Sequence, residues 1–269
     1  MRGRITAIGA ALLLSTASAS AAQEEDFRWS GRLAPGQRIE VRGIAGDVTA
    51  TLATGAETEV VARKSGRESD FDAVRVEVLE RADAVVVCVI YDSRNTGSSC
   101  NQPGEGDDDE DRSNRNLEVS VDFEVRVPAG VELVGSTVSG DVSARGLRSD
   151  VRASTVSGSV LVSTTGVARG RTVSGDVNVE MGSLDWSRLD FETVSGDIVV
   201  ALPADLAAEV EFESLSGELE SEFQMTVERR RDGFVGSELS GRIGDGGRHL
   251  RLHTISGDVR LRRTGAGGR

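Results

Sequence analysis

One six-residue motif recurs along the second half of the chain and constrains its fold more than any other feature. Each copy has a Ser-Gly pair at its centre and an aliphatic residue at its end. The seven copies are Thr137–Val142, Thr155–Val160, Thr172–Val177, Thr193–Ile198, Ser214–Leu219, Glu238–Ile243 and Thr254–Val259. Their serines are Ser139, Ser157, Ser174, Ser195, Ser216, Ser240 and Ser256. A fixed motif at uneven spacing predicts stacked structural units with insertions in their loops.

The alternation of aliphatic residues predicts which side chains face inward. Residues two apart in a strand share a face. Counting from the residue before Ser-Gly as position zero, aliphatic residues occupy positions zero and plus four in every copy and plus six in five copies. Position zero is held by Val138, Val156, Val173, Val194, Leu215, Leu239 and Ile255. A second short strand, with inward positions minus five and minus three, precedes each motif. We expect all these positions in the core.

These units predict an all-β fold, a parallel β-helix-like solenoid of about seven coils over residues 131–261. Ile198 and Leu219 should lie in adjacent coils, with Phe191 near Phe212. A β-sandwich is the alternative, but it would not require the same motif in every unit.

Residues 23–130 are predicted to form a β-rich region that caps the solenoid. Gly43–Val48 repeats the motif pattern once and predicts one more coil. Two later strands, Val85–Ile90 and Leu117–Val127, flank a long acidic loop and are expected to pair as a hairpin. We expect a soft boundary near Pro128–Gly130 and a flexible tail over residues 262–269.

Residues 1–22 have the pattern of a signal peptide. Arg2 and Arg4 precede a short apolar stretch, and small residues follow as far as Ala22. The stretch is shorter than the roughly 20 residues that cross a bilayer, although a retained anchor helix is the alternative. The pattern predicts export to the periplasm or the cell exterior. The net charge of −13 argues against binding to nucleic acid or anionic membranes.

The chain has two cysteines, Cys88 and Cys100. In an exported protein an even count favours a disulfide. A metal-binding or catalytic thiol pair is the alternative, but the chain has no CxxC spacing and no histidine near the cysteines.

No residue pattern predicts catalysis, a cofactor or a metal site. The serine recurs in every copy, whereas a nucleophile needs one position with a dedicated base. His253, Ser256 and Asp258 could be imagined as a triad, but no oxyanion-hole motif surrounds them. The recurring acidic residues at plus three, and the acidic run Glu105–Asp111, could bind cations but lack known calcium-site spacing. We expect the threonine and serine hydroxyls to form ladders on the outer face.

The repeated Thr-Val-Ser-Gly-Asp-Val motif after a β-rich N-terminal portion resembles the putative adhesin family of bacterial envelope proteins. That family is a domain-of-unknown-function group with β-solenoid architecture, and the resemblance covers about Ile39 to Leu261. It implies a surface or envelope interaction role without catalytic residues.

We therefore expect a non-enzymatic interaction or structural module with a protein or glycan partner. An envelope-stress sensor and a polysaccharide-active β-helix enzyme are the alternatives. Because Arg260, Arg262 and Arg263 set a basic end against an acidic body, the C-terminal coil is a candidate for self-association through unpaired strand edges.

Overall fold

A computed structural model describes residues 26–91, 100, 118–232 and 236–265. Over these residues the chain forms strands in two long sheets, which we call wall one and wall two. The first strands are β1 (Phe27–Gly31), β2 (Arg38–Arg42), β3 (Val48–Leu52), β4 (Thr58–Gly66), β5 (Val74–Glu80), β6 (Ala84–Tyr91) and β7 (Val119–Val127). A short 3-10 helix, Glu68–Ala73, precedes β5.

The remaining strands contain the repeats. They are β8 (Glu132–Ser136), β9 (Val142–Leu147), β10 (Val151–Ser154), β11 (Val160–Thr164), β12 (Ala168–Arg171), β13 (Val177–Met181), β14 (Arg188–Glu192), β15 (Ile198–Leu202), β16 (Ala208–Ser216), β17 (Leu219–Ser221), β18 (Met225–Asp232), β19 (Ser237–Ile243), β20 (His249–Ser256) and β21 (Val259–Arg263). Wall one has the order β1-β4-β7-β3-β9-β11-β13-β15-β21-β17, and wall two the order β18-β19-β16-β20-β14-β12-β10-β8-β2-β6-β5.

Each coil gives one strand to wall two and the next strand to wall one. Seven coils stack in this way, in the spatial order β2/β3, β8/β9, β10/β11, β12/β13, β14/β15, β20/β21 and β16/β17. Neighbouring coils pair in parallel along both walls. The predicted all-β solenoid is confirmed.

The space between the walls is filled by one continuous core. Positions minus five, minus three, plus four and plus six face it, as expected. Leu189, Phe191, Ile198 and Val200 of one coil are all fully buried. Their residue types follow from the geometry, because β-branched and aromatic side chains pack well on a pleated surface.

The sixth motif does not form a coil. Glu238–Ile243 lies in β19, which runs antiparallel to both β16 and β18. It therefore belongs to a short meander at the end of wall two. The seventh coil of the stack is instead the N-terminal one, β2/β3.

The stacking order also departs from chain order. The C-terminal coil, β20/β21, lies between β14/β15 and β16/β17. Phe191 and Phe212 are consequently separated by Leu252, and Ile198 and Leu219 by Val259. The prediction that they occupy adjacent coils is wrong, and Leu219 is only partly buried.

The predicted hairpin of β6 and β7 is also wrong. β6 extends wall two through a parallel pairing with β2, whereas β7 extends wall one through a parallel pairing with β3. Their antiparallel partners are β5 and β4. The two hydrophobic strands therefore belong to different walls. The two strands add a layer to the first coil.

The C-terminal coil has no open strand edge, because β20 and β21 each have a partner on both sides. Residues 262 and 263 were predicted to lie in a flexible tail, but they are part of β21. Arg262 and Arg263 pair with Ala201 and Leu202, and the Thr264 N–H donates to the Leu202 carbonyl at 2.8 Å.

The signal-peptide pattern, the acidic run and residues 266–269 lie outside the described residues. No helix in the described ranges is long and apolar enough to cross a membrane.

Candidate interaction surface

The motif forms one corner of every coil, and its threonine points into the core. Thr137, Thr155, Thr172, Thr193 and Thr254 are all at most 5% exposed. Thr155 Oγ1 donates to the Gly140 carbonyl of the neighbouring coil at 2.8 Å, and Thr172 Oγ1 to the Gly158 carbonyl at 2.8 Å. The expectation that these hydroxyls lie on the outer face is wrong. A buried hydroxyl with a partner at a tight corner satisfies a carbonyl that valine could not.

Glycine at plus two is required by close approach between coils. Gly158 has φ of 146°, and a Cβ there would lie 2.1 Å from the Gly140 carbonyl oxygen. Gly175 stands in the same relation to Gly158. No side chain fits, so the corner can repeat only with glycine.

The residue at plus three accepts a hydrogen bond from the backbone of the next coil. Asp141 Oδ1 accepts the backbone N–H of Ser159 at 2.7 Å, and Asp176 Oδ1 accepts that of Asp197 at 2.9 Å. Asp197 Oδ1 in turn accepts the N–H of Asp258 at 2.8 Å. This bond, together with Arg260, lowers the pKa of Asp197. Stacked carboxylates are therefore stabilised by backbone donors as well as by an arginine.

Position zero lies on the outside in every coil, contrary to the sequence prediction, and only Leu239 of the sixth motif packs against the core. Between 37% and 54% of each residue's surface is exposed in Ile44, Val138, Val156, Val173, Val194, Ile255 and Leu215. The inward alternation runs through minus five, minus three and minus one, so the corner turns position zero outward. We call this row of seven aliphatic side chains the ridge.

The ridge is continuous because consecutive corners are in register. The adjacent serines form a chain of parallel bridges, Ala45–Ser139–Ser157–Ser174–Ser195–Ser256, and Ser216 pairs with Ser256. At about 4.8 Å per coil, seven rungs extend about 29 Å. The six serines are exposed beside the ridge, and the acidic row at plus three follows them. Ser240 is not part of this row, because it pairs with Glu211 in β16.

The imagined triad residues have other neighbours. His253 Nδ1 lies 3.7 Å from Glu192, and Asp258 accepts the Glu218 N–H at 3.1 Å. Ser256 is one rung of the serine row. Among the residues that the structure describes, no three His, Cys, Asp or Glu side chains are grouped to hold a metal ion.

The cysteines lie near the N-terminal coil, where Cys88 pairs with Arg42 at the end of β2 and with Glu77 in the middle of β5. Cys88 of β6 and Cys100 are joined by a disulfide, with their Cα atoms 5.9 Å apart. Arg42 of β2 donates to the Cys100 carbonyl at 3.2 Å. The disulfide thus ties residue 100 to wall two.

Comparisons with known proteins found similar structures and one matching family. Two solved structures are similar to most of the chain, both at 10% identity. One is a putative cell adhesion protein from Clostridium sporogenes, with a TM-score of 0.46, covering 89% of this chain and 100% of that one. The other is a putative adhesin from Bacteroides fragilis, with a TM-score of 0.40, covering 89% and 98%.

No curated protein matches the sequence significantly. The family described as Toastrack DUF4097 matches residues 116–262, more than half of the chain and all six repeat-bearing coils. The chain belongs to the Toastrack DUF4097 family.

Proposed function

We propose that this chain is a non-enzymatic, exported interaction module of the cell envelope, adhesin-like in role, and that the ridge is its contact surface. The observation that carries the proposal is the exposure of seven aliphatic side chains in one row. Such a row costs solubility, and contiguous exposed apolar surface marks interaction sites. The ridge residues are not part of the core, because threonine occupies the inner side of the corner.

The surroundings of the ridge indicate the chemistry of the partner. Serine hydroxyls and glycines flank one side, and the carboxylates of Asp141, Asp176 and Asp197 follow. A convex apolar edge beside an acidic row fits a protein groove with an apolar floor and one basic rim. Glycan sites instead use aromatic platforms, and the ridge contains none.

Export is supported by the signal-peptide pattern of residues 1–22 and by the disulfide, since disulfides persist in oxidising compartments. The periplasm and the cell exterior both meet this condition. The partner is therefore an envelope protein or a molecule on the surface of another cell.

The test compares two matched double variants. Val156→Thr with Val173→Thr makes the ridge polar at constant shape. Val134→Thr with Val199→Thr does the same on the outer faces of β8 and β15, where both residues are half-buried. Cell-surface crosslinking with mass spectrometry identifies the partner, which is then purified for titration calorimetry.

We expect the ridge variant to bind the purified partner at least tenfold more weakly, and the control variant to bind as the wild type does. Equal affinity of both variants would show that the ridge is not the contact surface. A membrane-embedded signalling protein as the partner would favour the stress-sensor role over adhesion.

A further inference from the structure

The C-terminal coil occupies a slot between two coils that precede it in the chain. β14 and β15 form one side of the slot, and β16 and β17 form the other. Without β20 and β21, both sides would present unpaired strand edges about two strand spacings apart, or about 10 Å. Open edges are templates for an added strand.

The inner face of the inserted segment completes the core. Leu250, Leu252, Thr254, Val259 and Leu261 are all at most 1% exposed. Leu252 lies in register between Phe191 and Phe212. The slot therefore requires an alternating aliphatic strand pair of this length.

The outer face is complementary to the slot in charge. β20 carries His249, Arg251 and His253, whereas its neighbours carry the carboxylates of Asp190, Glu192, Glu209, Glu211 and Glu213. Arg251 lies 3.0 Å from Glu213, and His249 Nδ1 lies 3.1 Å from Glu209. Arg251 therefore lies between two acidic strands that would otherwise repel each other.

β21 continues the same complementarity on wall one. Arg260 lies 3.0 Å from Asp197 on one side and 3.4 Å from Glu220 on the other. The side-chain bond with Asp197 raises the pKa of Arg260. The Arg263 N–H donates to Glu222 at 2.9 Å.

The connection into the slot is rich in glycine. Residues 244–248 lead from β19 to β20, and Gly244, Gly246 and Gly247 all have positive φ. A Cβ at Gly247 would meet no atom within 4 Å. Five residues extend to about 17 Å, so this hinge can straighten and carry the C-terminal coil away from its own slot.

We propose that the slot also accepts the C-terminal coil of a second copy, so that the protein assembles by exchanging residues 249–263 between chains. Each contact in the exchanged form is the contact already made within one chain, and only the hinge changes conformation. Exchange of an identical element is a low-cost route to dimers. This inference does not depend on the partner of the ridge.

The test uses reciprocal charge reversal in the full chain. One tagged copy carries Glu213→Arg and a second, differently tagged copy carries Arg251→Glu. Each variant opposes like charges in its own slot, but a mixed dimer with exchanged coils restores an oppositely charged pair at both slots. The copies are co-expressed, purified through both tags in succession and weighed by native mass spectrometry.

Two controls accompany the experiment. In the first control, one tagged copy carries Glu132→Arg and the other carries Arg152→Glu. These residues form a 2.9 Å ion pair between β8 and β10, and neither strand is exchanged. Glu213→Arg with Arg251→Glu in one chain restores the pair internally and reports whether the substitutions permit folding. We expect a 1:1 mixed dimer from the slot pair, none from the β8–β10 pair, and the same distribution of monomer and exchanged dimer in the double variant as in the wild type.

Failure to co-purify the slot variants, with the double variant folded, would overturn the proposal. Equal co-purification of the β8–β10 pair would also overturn it, because association would then not involve the slot. Failure of the double variant to fold would contradict the charge complementarity on which the proposal rests.

Discussion

The carboxylate of Asp197 accepts the backbone N–H of Asp258 at 2.8 Å, although 61 positions of sequence separate the two residues. Equivalent bonds join Asp47 to the Asp141 N–H and Asp141 to the Ser159 N–H. The acidic residue of the motif therefore joins neighbouring coils through a hydrogen bond to the backbone. It explains why aspartate recurs at a position where stacked charges alone would be unfavourable.

This hydrogen bond between coils makes the stability of the fold depend on pH. The Asp258 N–H, with help from Arg260, lowers the pKa of Asp197 below its ordinary value. A lowered pKa stabilises the fold above the unfolded value of about 3.9, and this contribution is lost as pH falls through the folded value. Asp197→Asn should therefore be less stable than the wild type at pH 7, with a difference that shrinks below about pH 4.

Urea denaturation at several pH values measures the difference. Asp205→Asn, in the exposed loop after β15, is the control and should match the wild type throughout. A difference between Asp197→Asn and the wild type that stays constant down to pH 2 would contradict the prediction.

The buried threonine hydroxyls should contribute measurably to stability. Thr155→Val keeps the shape but leaves the Gly140 carbonyl without its 2.8 Å donor. We expect a loss of about 1–3 kcal/mol in the free energy of unfolding. Thr155→Ser keeps the hydroxyl and should lose less. Equal losses in the two variants would assign the effect to packing.

Core packing between the walls should be sensitive to truncation. Ile198 is fully buried, and Ile198→Ala should cost about 2–5 kcal/mol. Val199 faces outward on the same strand and is half-buried, so Val199→Ala should cost clearly less. Chemical denaturation of both variants makes the comparison, and the reverse ranking would show that the side-chain alternation of β15 is wrong.

The two cysteines should be joined in protein from an oxidising compartment. Alkylation without reductant followed by mass spectrometry should find no free thiol at Cys88 or Cys100. Replacing both by serine should lower stability by roughly 3 kcal/mol in the chain-entropy model, which depends on loop length. Two alkylated thiols in the unreduced protein would refute the pairing.

The fold class and most of the core could be predicted because the solenoid repeats its chemistry in every coil. Position zero was assigned wrongly because an aliphatic residue was taken to be inside and a threonine outside. The alternation of Leu189, Phe191 and Thr193 indicates the correct assignment. These three residues are two apart, so they share the inner face of the strand before the corner. Thr193 is buried and Val194 is 37% exposed.

The sequence of the sixth motif also indicates that it does not form a coil corner. Its residue before position zero is Glu238, whereas the other six copies have the threonine or serine that the buried corner needs. The order of stacking could not be predicted from repeats. It depends on which strand edges fit in charge and shape, and Arg251 matches the acidic edges of β14 and β16.

The inserted coil has a consequence for the order of folding. Coils can be added one at a time along the chain as far as Leu202, because each finds its neighbour already in place. The coil β16/β17 cannot, because its neighbour in the stack is β20/β21, which comes later in the chain. The last two coils and the meander of β18 and β19 must therefore form together, as one cooperative step with a high contact order. Folding of this protein should thus be sequential over its first five coils and concerted over the rest.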